Sequence, residues 1–298
     1  MRAVAVGVAL ALSACTTSDM VPPGSATPGG WTVYAPSGLT EPPKTMQWLY
    51  GSAEAAALSI QAYHAFRDHV LETVRQRPAQ GVVLAEGSTL TAPEFASCGS
   101  KPPAVVLDVD ETALLNLGYE YDEALKGRTF DPGIWDRWEK TGVDKVAPVP
   151  GAVTALRAIR DAGVTVIFNT NRNTANAVQA ETALVGAGLG PARHRKTLFL
   201  QGDAGTSSAK DPRRALIAER YCVVAMAGDQ LGDFSDLFNA RTLTVPDRRR
   251  AAASAPFAAL WGAGWFMLPN PVYGPGVRGS FDDVFPADKR WSDPAGEN

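Results

Sequence analysis

Two hydrophobic periods alternate along most of this chain. Residues 104–107 (Ala104-Val105-Val106-Leu107) form an unbroken apolar run, short enough for a strand buried on both faces. Runs of the same kind return at 164–168, 197–200 and 222–227. Between them the apolar positions fall at helical spacing. Pro150 opens one helix with Val153, Leu156 and Ile159 on a common face, and Gly163 stops it. Thr174 is expected to cap a second helix running to about residue 187, and Asp211-Pro212 to cap and open a third. Upstream, 46–75 carries Leu58, Tyr63, Phe66, Val70 and Val74 near helical spacing. That predicts a helix with a break near Gly51 and a stop at Pro78. Strand–helix alternation with buried strands predicts an α/β protein, a Rossmann-like parallel sheet sandwiched by helices.

Two segments fall outside the alternation. Residues 113–148 read as an insertion holding Tyr119, Tyr121, Phe130, Trp135 and Trp138, and 257–291 as an ordered, Gly- and Pro-rich tail packed over the body. The N-terminus differs again. Met1-Arg2 precedes an apolar stretch over 3–12 that ends in Leu12-Ser13-Ala14-Cys15. This is too short for a permanent span and fits a signal peptide over 1–14. The last four residues resemble a bacterial lipobox with Cys15 as the lipidated residue; a plain secretory cleavage after Ala14 is the alternative. Residues 15–44, rich in Thr, Ser, Pro and Gly, read as a flexible tether. Thr16 stands where an inner-membrane retention Asp would sit, so the expected location is lipid-anchored at the outer membrane.

Composition adds exclusions. In 298 residues, 45% hydrophobic and 20% charged content is that of a folded globular protein. A net charge of -3 with no basic stripe gives no reason to expect a nucleic-acid partner. Three histidines (His64, His69, His194) are too few for chemistry built on several imidazoles. Export would place Cys98 and Cys222 in an oxidising compartment, where a disulfide and two buried thiols both fit.

Candidate chemistry gathers where the strands end. The first run leads into Asp108-Val109-Asp110-Glu111-Thr112, the second into Asn169-Thr170-Asn171-Arg172, the last into Gly228-Asp229, with Asp233 soon after. Lys210 precedes the third helix of the alternation. Ligands of open parallel sheets bind beyond the carboxyl ends of the strands. Two acids as close as Asp108 and Asp110 repel unless a cation or a shared proton compensates. The pair alone also fits a solvated turn. Adding a hydroxyl, a lysine and a second acidic pair gives what phosphoryl transfer through a carboxylate needs: a nucleophile, a divalent ion and donors for the transferring oxygens.

Asp108-Val109-Asp110-Glu111-Thr112, Thr170, Lys210 and Gly228-Asp229…Asp233 resemble the four motifs of the haloacid dehalogenase (HAD) superfamily of phosphatases. Ser52-Ala53-Glu54, Trp135-Asp136-Arg137-Trp138 and Met267-Leu268-Pro269-Asn270 are similar to its subfamily IIIB, the class C bacterial acid phosphatases and lipoprotein 5′-nucleotidases. The resemblance implies a HAD-like phosphatase domain over 45–290, with 113–148 and part of the C-terminal region as a small cap and 291–298 as a tail. It also implies an Mg²⁺-dependent acid phosphatase acting on phosphomonoesters, nucleoside 5′-monophosphates among them.

By the same resemblance, Asp108 is the nucleophile and a metal ligand. Asp110 is the proton donor and acceptor, ligating metal through its carbonyl. Thr170 and Lys210 hold the phosphoryl group, and Asp229 completes the metal site. Asp233, Asn171 and Arg172 stand behind these groups, and Phe130 and Tyr273 flank the substrate's base. Both aromatics also fit plain packing roles. Leu115 stands where the group commonly has an acid, and Gln201-Gly202 where it has lysines. A phosphotransferase using an acceptor alcohol and a non-catalytic binding or storage relative are the alternatives.

Overall fold

The computed structural model describes residues 40–294; the signal peptide, Cys15 and most of the tether lie outside the described residues. Five parallel strands form one sheet: β1 (Pro103–Leu107), β2 (Thr165–Asn173), β3 (Leu198–Gln201), β4 (Cys222–Gly228) and β5 (Trp265–Met267), in the order β3-β2-β1-β4-β5. Helices α1 (Ala53–Gln76), α2 (Leu117–Lys126), α3 (Pro132–Thr141), α4 (Ala152–Asp161), α5 (Ala177–Gly186) and α6 (Asp211–Arg220) surround it.

The apolar run of β1 explains its central place. Val105 and Leu107 join Tyr63, Phe66, Leu156 and Ile159 on one face of the sheet. Ala104 and Val106 join Ile217, Phe234, Phe238 and Trp265 on the other. Each such side chain, removed from water, stabilises the fold by roughly 1.5–3 kcal/mol. α1 starts where the Ser52 hydroxyl accepts from the Ala55 amide at 3.0 Å, and it buries Ala55, Ser59, Tyr63, Phe66 and Val70. Leu58, expected on that stripe, is exposed. A π-helical turn, Gln47–Gly51, precedes α1 and supplies the break expected at Gly51.

Several boundaries differ from expectation. β2 runs on to Asn173, and the cap of the following turn is Asn173, not Thr174. Lys210 occupies the N-cap position of α6, with Asp211 already its first residue. The C-terminal tail is more than a cover: Trp265–Met267 is the fifth strand, pairing with β4. A hairpin that the pattern did not predict, Gln80–Leu84 with Phe95–Ser97, lies against the start of β4. A Cβ at Gly81 would come within 2.7 Å of the Val223 carbonyl, so the approach depends on glycine. Trp265 fastens the hairpin by donating from Nε1 to the Val82 carbonyl at 2.9 Å.

The hairpin leads into Cys98, which is bonded to Cys222 with the Cα atoms 4.5 Å apart. Closing 124 residues with one covalent link is worth roughly 4–5 kcal/mol in a chain-entropy account. Residues 113–148 hold α2, α3 and a two-residue antiparallel pairing, Leu114–Leu115 with Ala147–Pro148. No helix among the described residues is long and apolar enough to cross a membrane.

Candidate active site

The strand-end residues converge. Asp108 directly follows β1, and its backbone amide donates to the Ala227 carbonyl of β4 at 3.0 Å. Asp229 directly follows β4, and Asp233 closes the next turn. That turn folds back tightly: a Cβ on Gly228 would lie 2.3 Å from that of Asp233. Lys210 Nζ donates to Asp108 Oδ1 at 2.5 Å and to Asp233 Oδ1 at 2.6 Å. The second Asp233 oxygen accepts from the Gln230 amide at 2.9 Å. Fully buried Arg214 donates from Nη1 to the Asp233 carbonyl at 2.8 Å, fixing the turn against α6.

Asp108, Asp229 and Asp233 each bring one carboxylate oxygen within 4.8 Å of the others, and all three are buried. Burial raises the Asp108 carboxyl, and Asp233, Asp229 and Asp110 push it further against the pull of Lys210. Asp229 is pushed up to about 7, by burial first and then by Asp233. One ammonium facing three carboxylates leaves two negative charges uncompensated, the charge that one divalent cation would offset. An all-oxygen donor set suits a hard cation of the Mg²⁺, Ca²⁺ or Mn²⁺ class. The residues present therefore fit a metal.

Asp110, two residues on, has a different setting. Its Oδ1 accepts from Arg172 Nε at 2.9 Å and from Asn116 Nδ2 at 3.0 Å, and its Oδ2 accepts from the Thr170 hydroxyl at 3.1 Å. Burial alone would raise this carboxyl, but the Arg172 charge and the three donors outweigh it and hold it below the usual range. Arg172 itself is buried with its guanidinium 5.9 Å from the Trp135 ring centre, so α3 contributes a wall. Thr170 lies inside β2 and caps no helix.

Asn171 is exposed and its side-chain oxygen accepts from Arg213 Nη2 at 2.5 Å. Tyr273 donates its hydroxyl to Glu111, which also accepts from Tyr50 at 3.3 Å. Phe130 is 64% exposed and packs against Trp135 at 6.2 Å.

The pattern along the chain gave no reason to single out Asn116, Asn270 or the Glu111 side chain, which complete the site. Asn270 reaches Asp229 at 2.8 Å from beyond β5, and Thr112 reaches it at 3.0 Å. The Asn270 position was visible only as part of the Met267-Leu268-Pro269-Asn270 resemblance.

The profile of the HAD superfamily, subfamily IIIB (acid phosphatase), matches residues 48–276. The chain belongs to that family. Two solved structures of the class C acid phosphatase from Bacillus anthracis share its fold. The one with tungstate bound aligns with TM-score 0.62 and 24% identity, the other with 0.61 and 25%. Each alignment covers 78% of this chain and 84% of the other. The subfamily IIIB enzyme described here is thus an acid phosphatase, a phosphoric monoester hydrolase acting on small phosphate esters.

One cavity, of about 750 Å³, is not at the strand ends. It lies between the turn containing Trp48 and Tyr50 and the α2 residues Leu117, Glu120 and Tyr121.

Proposed function

We propose that this acid phosphatase works through a phosphoryl group carried on Asp108, with Mg²⁺ as its metal and nucleoside 5′-monophosphates among its substrates. The observation that carries the mechanism is the Lys210 ammonium held 2.5 Å from Asp108 within a cluster of acids. Asp108 Oδ attacks phosphorus while the bond from phosphorus to the ester oxygen breaks, and Asp110 gives that oxygen its proton. Asp110 then takes a proton from water, whose oxygen attacks the phosphorus of the aspartyl phosphate, releasing inorganic phosphate and restoring Asp108. Lys210 offsets charge on Asp108 and the transferring oxygens throughout, and Asp233 keeps Lys210 in place. Thr170 supplies a hydroxyl beside the reacting group.

Asp108 and Asp229, with the Asp110 carbonyl, would hold the metal. Bound there, it supplies positive charge that lets two anions meet. Arg172 keeps the Asp110 carboxyl low, so its proton-bearing form belongs to acidic solution, in keeping with an acid phosphatase.

Support for a nucleotide substrate is the exposed Phe130 ring, a face on which any base can stack; Tyr273 is tied through its hydroxyl to Glu111. The lipobox supports attachment to the outer membrane through Cys15.

Phosphate release from a panel of aryl, sugar and nucleoside phosphates tests the whole reading. Asp108→Asn should lose roughly a thousandfold or more in turnover, because the covalent route is gone. Activity within tenfold of wild type would falsify the mechanism. Chelation by EDTA should stop wild-type turnover and Mg²⁺ restore it, and indifference to the chelator removes the metal. A flat ranking across the panel removes the nucleotide preference. Membrane association unchanged by Cys15→Ser removes the anchor.

A further inference from the structure

The donors around Asp110 are unevenly divided between its two oxygens. Oδ1 receives the Asn116 amide at 3.0 Å and Arg172 Nε at 2.9 Å, with the Arg172 Nη2 charge 2.9 Å away. An amide NH₂ and a guanidinium only donate, so an oxygen facing both has no place for a proton of its own. Oδ2 faces the Thr170 hydroxyl at 3.1 Å, a group that can turn to donate or accept. The proton that reaches the leaving oxygen therefore travels on Oδ2, provided the carboxyl keeps this orientation.

Asn116 is the side chain that holds it. Asn116 occupies the N-cap position of α2, where an Asn normally accepts from the helix's own amides, yet its side chain makes no capping bond. Giving up a cap costs about 1 kcal/mol, and the side chain has been diverted elsewhere. It is fully buried, donates to both Asp110 Oδ1 and Glu111 Oε2, and accepts from Arg172 Nη2 at 2.8 Å. Its backbone amide donates to Glu111 Oε1 at 2.9 Å. Glu111 is anchored in turn by Tyr273 and Tyr50, from beyond β5 and from the turn before α1. Glu111 also takes a left-handed backbone, φ 54°, an uncommon conformation for a side chain without local help. That conformation turns the carboxylate back onto Asn116.

We propose that Asn116, anchored by Glu111, is a positioning residue that fixes the Asp110 carboxyl so that Oδ2 meets the leaving oxygen of the substrate. The inference rests on Asp110 as the proton donor of the mechanism above. It predicts an effect that grows with the substrate's need for a proton. A 4-nitrophenolate leaves unaided, whereas an alkoxide does not.

The experiment compares kcat and KM of wild type, Asn116→Ala, Glu111→Gln and Asp110→Asn on 4-nitrophenyl phosphate and on a simple alkyl phosphate, with Mg²⁺ present. Asn116→Ala should lower kcat/KM, which reports the steps up to departure of the leaving oxygen and not the later attack of water, by about 30- to 100-fold on the alkyl ester and by less than about threefold on the aryl ester. Glu111→Gln keeps the shape of the anchor and weakens its charge, so it should show the same bias at about three- to tenfold. It serves if Asn116→Ala does not fold. Equal losses on both esters, or none, overturn the positioning role while Asp110→Asn still shows the bias. An Asp110→Asn enzyme without the bias overturns the proton-donor assignment and, with it, this inference.

Discussion

Asp108 and Asp110 are two residues apart at the end of one strand, the first buried and the second half-buried, and their surroundings are opposite. Around Asp108 stand two more carboxylates and a single lysine. Around Asp110 stand an arginine, an amide and a hydroxyl, all donating to it. The first acid is pushed up and the second held down. Paired acids whose environments separate them in this way are suited to different parts in catalysis, as proposed above for these two. The Asp110 region carries its compensating charge within the chain, while the Asp108 region is left two charges short.

Removing each cation in turn should break the symmetry most visibly. Arg172→Met leaves Asp110 charged, half-buried and unpaired, which should cost roughly 3–5 kcal/mol of stability that no added metal returns. Lys210→Met should destabilise the metal-free protein similarly and lower turnover by about 100- to 1,000-fold. At one fixed, saturating Mg²⁺ concentration its deficit relative to wild type should narrow, because losing the ammonium strengthens cation binding, whereas the deficit of Arg172→Met should not. Thermal unfolding of both variants with and without Mg²⁺ decides the matter. Equal responses to metal would mean that the two regions do not differ as described.

Acidity gives the next contrast. Glu111 and Asp229 are both pushed up to about 7, Glu111 by burial and the Asp110 charge, so the folded state binds these protons more tightly than the unfolded chain. Metal-free protein should therefore gain stability, on the order of a few kcal/mol, as pH falls from about 7 toward 4. Asp110 works in the opposite sense. Its contribution is present above the ordinary carboxylate range and is lost as pH falls below it. Saturating Mg²⁺ should flatten the rise between pH 7 and 4. Denaturant unfolding across that range, with and without metal, measures it, and a metal-free stability that falls on acidification from 7 would contradict it.

Glu120 supplies the smallest test, an acid with no cation beside it. Burial, then Glu111 and Glu123, raise its carboxyl to about 9, and one of its oxygens has no hydrogen-bond partner among the described residues. It simply stays protonated. Glu120→Gln should match wild type at about pH 4 and gain on it progressively as pH rises toward about 9, because only the wild-type carboxyl must take up a proton to fold, with no further gain above that. A clear loss at neutral pH would mean that this carboxylate is charged and compensated after all.

Much of the fold could be read along the chain because its cause is local. Apolar runs such as 104–107 and 222–227 specify strands buried on both faces, and helical spacing at Leu156 and Ile159 specifies the crossover between them. β5 escaped because three residues, Trp265–Met267, are too few to show a period; their strand exists only because β4 offers an open edge. The Gln80–Leu84 hairpin escaped for a similar reason, since a glycine contact and the Trp265 indole hold it.

The site divides along the same line. Asp108, Asp110, Thr170, Lys210, Asp229 and Asp233 were legible because each sits at a fixed step from a strand end or helix start, and backbone geometry aims those positions at one place. What each acid is given to face was decided in three dimensions. Lys210 meets Asp108 across 102 residues, and Arg172 meets Asp110 across 62. The disulfide, left open between a bond and two thiols, was settled by the hairpin that delivers Cys98 to the start of β4. Sequence alone determined which residues stand at the strand ends, because strand and helix periods are local. Only the tertiary structure decided how charge is shared among them, because burial and long-range pairing set the energy of a carboxylate.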